Sequence, residues 1–178
     1  MEAEAALLST RVQLAHILGP RLINQIGSRR ISLGDLLGAS AYWLKRIFSR
    51  PENRAEAFKL ADGIRLVTNG WAIHGTSGYT LGRYIFTYQH EFDRSFVIHE
   101  YVHVLQWRAQ PCLFLLHYGR RGFRNWPELD EHGWPSIVER RNPYEVQAMQ
   151  VEALYRREPR LPNPWQLKEE LLSDLEIQ

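Results

Sequence analysis

The chain has 178 residues, 44% hydrophobic and 24% charged, with 22 Lys and Arg against 20 Asp and Glu. That length suits one domain with a real core, and the balance excludes a disordered chain. A net charge of +2 gives no bulk attraction to nucleic acid or to a membrane. Aromatic residues make up 12%, including six Trp, enough to fill a core or line a groove. The lone cysteine, Cys112, excludes an intrachain disulfide and a cysteine-built zinc site, and is compatible with a reduced compartment. Met1-Glu2-Ala3-Glu4-Ala5 is acidic where a signal peptide is basic, and no apolar run reaches the length of a membrane span. The expected location is cytoplasmic, unless export uses a route without an N-terminal signal.

Leu7, Leu8, Val12, Leu14, Ala15 and Leu18 form an apolar stripe that predicts a helix from Glu2 to Leu18, stopped by Gly19-Pro20. A second helix is expected from Ser32, with Asp35 placed for a loose capping box and Pro51 beyond its end. Its apolar residues Leu36, Leu37, Tyr42, Trp43, Leu44, Ile47 and Phe48 read as core packing, with a membrane-surface helix as the alternative. A short helix is expected over Glu52 to Leu60. The character then changes: Ile64 to Val67, Trp71 to His74 and Arg83 to Tyr88 have strand composition, with a turn at Gly75 to Gly78. They predict a sheet of two or three strands. Helix returns from Arg94 to Ala109, capped by Asp93 and followed by Pro111. Residues 118 to 142 read as a long irregular connection. Asn142-Pro143 opens a helix to Arg157, with Asn as cap and Pro at the first helical position. Pro159, Pro162 and Pro164 make an extended connector, and Trp165 to Leu175 a final short helix.

The run His99-Glu100-Tyr101-Val102-His103 falls mid-helix. A spacing of four puts both imidazoles on one face, one turn apart, where two nitrogens can grip one tetrahedral zinc ion. Glu100 projects about 100° round the helix, so its carboxylate can take a proton from a metal-activated water without being a ligand. Phe96, Val97, Ile98, Val102, Val104 and Leu105 predict that this helix is buried, where bare polar groups are costly. Gln106 and Ala109 stand where the metzincin pattern requires Gly and a third His, which excludes that arrangement. Third-ligand candidates are His117, Asp130, His132, Glu139, Glu145 and Glu152. Glu145 is preferred because it lies on the next predicted helix; its alternative role is a capping carboxylate folded back on Asn142. Glu152, seven residues on, shares its face and is either a partner to a ligand or a solvated side chain.

The segment "FVIHEYVHVLQW" resembles the active helix of compact bacterial zincin-like peptidases with H-E-[LYF]-[TAV]-H-V-x-Q, a group that includes minigluzincins and metallopeptidase domains of contractile-injection-system toxins. The strand pattern at Thr80 to Tyr88 and the segment "NPYEVQA" extend the resemblance over Ile64 to Tyr155. It implies an α+β zincin-like domain with helices on a small sheet and the metal between two core helices. It also implies His99, His103 and Glu145 as zinc ligands and Glu100 as base. Where thermolysin-like enzymes often carry an Asp, four residues after the ligand Glu, this chain has Met149.

The expected organisation is one domain over 1–178, with a helical part to residue 60, a catalytic core over 61–157, and a Pro-rich connector and helix over 158–178. The expected function is zinc-dependent hydrolysis of a peptide or protein substrate; a metal-holding interaction or regulatory module and a toxin or effector peptidase are the alternatives. Arg83 to Tyr88 is either an edge strand for an extended substrate or a core strand. Tyr144, His117, His132 and Tyr155 are candidate oxyanion donors. Arg120, Arg121 and Arg124 with Trp126 form a basic loop, and His74 and His90 carry no assigned role. Cys112 is expected to pack as a small apolar group.

Overall fold

The computed structural model describes residues 2–71, 78–88, 93–123 and 142–176. Its architecture is α+β, with helices packed on a small mixed sheet. The helices are α1 (Glu2–Ile23), α2 (Leu33–Phe48), α3 (Arg94–Ala109), α4 (Phe114–Phe123), α5 (Pro143–Arg157) and α6 (Lys168–Glu176). The strands are β1 (Glu56–Lys59), β2 (Arg65–Thr68), β3 (Gly78–Leu81) and β4 (Tyr84–Thr87), ordered β1-β2-β4-β3. β2 and β4 run parallel, and the outer pairs are antiparallel.

α3 lies at the centre. Asp93 caps it, accepting from the Phe96 N–H at 2.8 Å. Every residue from Glu100 to Arg108 is buried, so the helix is enclosed on all sides. Ile98, Val102 and Leu105 pack with Leu14, Ala15 and Leu18 of α1, Ala148 and Val151 of α5, and Leu171 of α6 in one apolar cluster. Each large side chain so buried contributes about 1.5–3 kcal/mol. The polar residues on α3 are individually partnered. Asp62, in the turn after β1, receives the Tyr101 hydroxyl at 2.8 Å and pairs with Arg108, whose Nη2 also donates to the Asp62 carbonyl at 2.7 Å.

The β3–β4 turn is tied to α2. Ser32 Oγ accepts from the Asp35 N–H at 3.1 Å, and the Ser32 N–H donates to Asp35 Oδ2 at 2.6 Å, completing the expected capping box. Asp35 Oδ1 also takes the Arg83 backbone N–H at 2.7 Å and its Nε at 3.0 Å. Gly82 sits in that turn at φ +60°, and a Cβ on it would lie 2.2 Å from the Asp35 nitrogen, so both conformation and space demand glycine there.

Several expectations change. The segment 52–60 is not a helix: after a tight turn at Pro51–Asn53, Glu56–Lys59 pairs with β2 in register Phe58↔Leu66. The N-terminal part to residue 60 is therefore not wholly helical. Strand pairing, a long-range term, outweighs local helix tendency there. α1 continues to Ile23, but Gly19 has non-helical angles, so the chain kinks at the expected stop. Among the described residues the sheet has four strands rather than two or three: β1 is unanticipated, and the strand pattern at Thr80 to Tyr88 is two antiparallel strands, β3 and β4, that turn at Gly82. α4 extends to Phe123, into the stretch expected to be irregular; residues 124–141 of that stretch lie outside the described residues, as do 72–77, holding most of the predicted Trp71 to His74 strand and of the turn, and His90. α6 begins at Lys168, after a single turn at Pro164–Gln166. Cys112 is exposed and does not pack as a core residue. The large apolar stripe of α2 points outward, and its buried residues are Gly34, Asp35, Gly38 and Tyr42.

Asp35 carries a pH dependence. Burial opposes its ionisation, but hydrogen bonds from Arg83 and Ser32 outweigh burial and hold its carboxyl below its ordinary value. A depressed native pKa gives stability that is complete above the unfolded value of about 3.9 and is lost as pH falls through the native one. Asp35→Asn should cost about 1–2 kcal/mol at pH 7 in urea unfolding. That deficit should shrink as the titration is repeated toward pH 3; a deficit that does not change with pH would show the carboxylate charge to be irrelevant.

Candidate metal centre

His99 and His103 stand one turn apart on α3, and Glu145 faces them from the first turn of α5. The Nε2 atoms of the two histidines are 3.3 Å apart. Glu145 Oε2 lies 3.4 Å from His99 Nε2, and Oε1 lies 3.3 Å from His103 Nε2. His103 and Glu145 are buried and His99 nearly so. This group can hold a metal ion.

The partners behind each ring fix where its proton sits. Gln106 Nε2 donates to the Tyr144 carbonyl at 3.0 Å, and a carbonyl only accepts. Gln106 Oε1 must therefore be the atom facing His103 Nδ1 at 2.8 Å, so Nδ1 carries the hydrogen. Glu152 Oε2 lies 3.0 Å from His99 Nδ1 and, as a carboxylate, also accepts. Arg156 Nη2 at 2.6 Å holds the other oxygen of Glu152. With both Nδ1 atoms protonated, the neutral rings turn two Nε2 lone pairs toward a carboxylate. Three acceptors then converge, an arrangement that a cation at their centre, or protons in its place, would stabilise.

The spacing fits that cation. Nitrogen and oxygen ligands at about 2.0–2.1 Å from a tetrahedral zinc lie about 3.3–3.4 Å from one another. The Nε2–Nε2 separation of 3.3 Å falls in that range, and each ring nitrogen faces its own oxygen of Glu145, Oε2 at 3.4 Å from His99 and Oε1 at 3.3 Å from His103.

The electrostatics agree. Burial disfavours a charged His99, yet hydrogen bonds to Glu145 and Glu152 and the charges of Glu100 and Glu145 push it up to about 10. Burial likewise opposes charge on His103, and Glu145 raises it nonetheless. Burial opposes ionisation of Glu145, but the charge of His103 and hydrogen bonds from both histidines and Tyr118 hold it far below the carboxylate range. The hydrogen bond from His99 is the main cause lowering Glu152. A cluster that gathers protons in this way is one that favours positive charge.

Glu100 lies between the two histidines in the sequence and meets β3. Its Oε2 accepts from Thr80 Oγ1 of β3 at 2.7 Å, and burial pushes its carboxyl up. Trp107 Nε1 donates to the Thr80 carbonyl at 3.2 Å, so β3 is pinned along α3 at two points.

The sequence-predicted ligands His99, His103 and Glu145 thus meet, and Glu100 lies beside them. Glu145 is not a cap; Asn142 Oδ1 accepts from the Tyr144 N–H instead, at 3.2 Å. Glu152 is the partner of His99, supplying from two helical turns along α5 the orientation absent at Met149. Three of the suggested oxyanion donors are engaged elsewhere. His117 Nδ1 is 2.6 Å from Gln110 Oε1, Tyr144 bonds Gln110, and the Tyr155 hydroxyl donates to the Pro162 carbonyl at 2.7 Å. Asp130, His132, Glu139, Arg124 and Trp126 lie outside the described residues. Sequence reasoning missed Tyr118, whose hydroxyl donates to Glu145 Oε1. No local signal marks Tyr118, because it reaches the site only through the packing of α4. It also left Gln106 and Thr80 without roles; the Gln in H-V-x-Q was the available sign for the first.

Comparison of the chain with family models, curated proteins and solved structures gave no match.

Two losses of orientation should be measurable. Gln106→Leu and Glu152→Ala should each weaken zinc binding about 10–100-fold, read by competition with a chromogenic chelator. His103→Ala and Glu145→Ala should abolish stoichiometric binding. Full affinity in both orientation variants would mean that the Nδ1 partners do not set the ligands.

Proposed function

We propose that this chain is a zinc-dependent peptidase in which His99, His103 and Glu145 hold the metal and Glu100 is the general base. The number of ligands carries this reading. Among the described residues the cluster contains two imidazoles and one carboxylate. Structural zinc sites are closed by four protein ligands, whereas three leave a position for water or substrate. Bound zinc supplies Lewis acidity, bringing a water's pKa toward neutrality and polarising a carbonyl.

The remaining chemistry belongs to the chain. Gln106 and Glu152 hold the ligand rings in the tautomer that offers Nε2. Tyr118 steadies the Glu145 carboxylate. Thr80 Oγ1 binds one oxygen of Glu100 and fixes the plane of the base. Glu100 accepts the proton of the attacking water and returns it to the leaving amine. A peptide substrate is favoured by the sheet order. β4, the strand containing the predicted substrate edge, is interior, lying between β2 and β3. Among the described residues β3 is the outer strand on the Glu100 side, and its far edge is the place for an extended chain on this reading.

One observation favours a second reading, a metal-holding module without catalysis: Glu100 is only 5% exposed. Glu100→Gln separates the two. On the peptidase reading the variant keeps one zinc per chain, measured by plasma mass spectrometry, and loses about 10²–10⁴-fold in kcat on a peptide library. A zinc-loaded wild type that cleaves nothing, or a variant that cleaves equally well, sinks the peptidase reading.

A further inference from the structure

We propose that α2 docks the protein onto an anionic lipid surface, lying in the plane of the headgroups with its apolar face in the acyl boundary. The helix turns Gly34, Asp35, Gly38 and Tyr42 inward. Gly34 and Gly38 sit against the β3–β4 hairpin so closely that a Cβ would lie 2.5 Å from the Gly82 nitrogen and 2.6 Å from the Leu81 carbonyl oxygen. The opposite face carries Leu36, Leu37, Trp43, Leu44, Ile47 and Phe48, all exposed, Phe48 to 77%. At 100° per residue these six share one arc, interrupted only by Ser40. Scattered exposed leucines are ordinary, but a continuous apolar arc of this width marks an interaction surface.

The surrounding charge identifies the occupant. Between residues 29 and 54 the basic residues are Arg29, Arg30, Lys45, Arg46, Arg50 and Arg54, against Asp35 and Glu52. Asp35 is already paired with Arg83. The modest net charge of the whole chain therefore conceals a basic rim at both ends of the apolar arc. An open groove beside it is lined by Lys59, Arg65 and Arg83, with Ile31 and Leu36 also on its wall. Basic groups next to exposed aliphatic ones suit a lipid phosphate above its acyl chains. A second copy seated on α2 by two-fold symmetry would instead bring like-charged rims together. The geometry is that of a helix lying on a membrane, since among the described residues no helix is long and apolar enough to cross one. This proposal does not depend on the peptidase reading.

Flotation of the full-length protein with vesicles tests it. The protein should float with mixed phosphatidylglycerol–phosphatidylcholine vesicles, more weakly with phosphatidylcholine alone, and less as salt rises. The double variant Ile47→Asp/Phe48→Asp should partition about tenfold or more weakly. Arg46→Glu/Arg50→Glu should lose the preference for anionic vesicles. All four positions are exposed, and thermal melts of the variants check that the fold is kept. The proposal is overturned if the wild type stays in the buffer fraction, or if folded Ile47→Asp/Phe48→Asp floats as well as wild type. It is also overturned if light scattering shows a dimer that the apolar variant disrupts while no vesicle binds. That last result would make α2 an interface between copies.

Discussion

The structure turns on three acceptors that face one another inside it. Two imidazole nitrogens and a carboxylate meet at 3.3–3.4 Å, largely shielded from water. Left without positive charge, such a group would be strongly unfavourable, because each atom has lost hydration and gained only repulsion. The site is stable when a cation, or protons in its place, sits at the centre. The neighbouring side chains hold the acceptors in place rather than relieve them. Gln106 and Glu152 direct the ring protons away, and Tyr118 fixes the carboxylate.

That constraint accounts for the arrangement of the core. α3 must be buried so that its histidines are dry, and burying a helix with Gln106, Arg108 and Glu100 on it requires a partner for each. α5 supplies two carboxylates seven residues apart, which bracket the His99 ring: Glu145 at Nε2 and Glu152 at Nδ1. Asp62, held at φ 59° in a turn, answers both Tyr101 and Arg108. Arg94 at the start of α3 donates to the Pro159 carbonyl at 2.6 Å and to Asn163 at 2.8 Å, fixing the connector that leads to α6. The sheet contributes one contact of chemical weight, Thr80 on Glu100, and β3 can make it because α2 holds the β3–β4 turn through Asp35.

α2 shows how an amphipathic pattern misleads when read alone. A stripe of Leu, Ile, Trp and Phe at helical spacing reads as a core face. Here the opposite stripe is the packed one, because Gly34 and Gly38 allow the backbone to approach the hairpin more closely than any larger residue could. Among the described residues the large side chains Leu36, Leu37, Trp43, Leu44, Ile47 and Phe48 then stay exposed and define an outward surface. The close approach at Gly34 and Gly38, with Tyr42 stacked on Tyr84, goes with that face turning in.

The sequence by itself determined what depends on residues near one another in the chain. The four-residue spacing of His99 and His103, the Asp93 cap, the Ser32–Asp35 box and the Asn142-Pro143 start all follow from helix geometry, and all appear as read. So does the burial of the helix that holds His99 and His103, which its apolar neighbours demand. Glu145 is preferred from its place on the next helix, and it does meet the histidines; only the tertiary structure decided that Glu152 stands behind His99, that Tyr118 reaches Glu145 from α4, that residues 56–59 pair as a strand, and that α2 faces outward. The reason is physical. The helical period links neighbours along one element, whereas contacts between elements depend on how whole faces pack and pair.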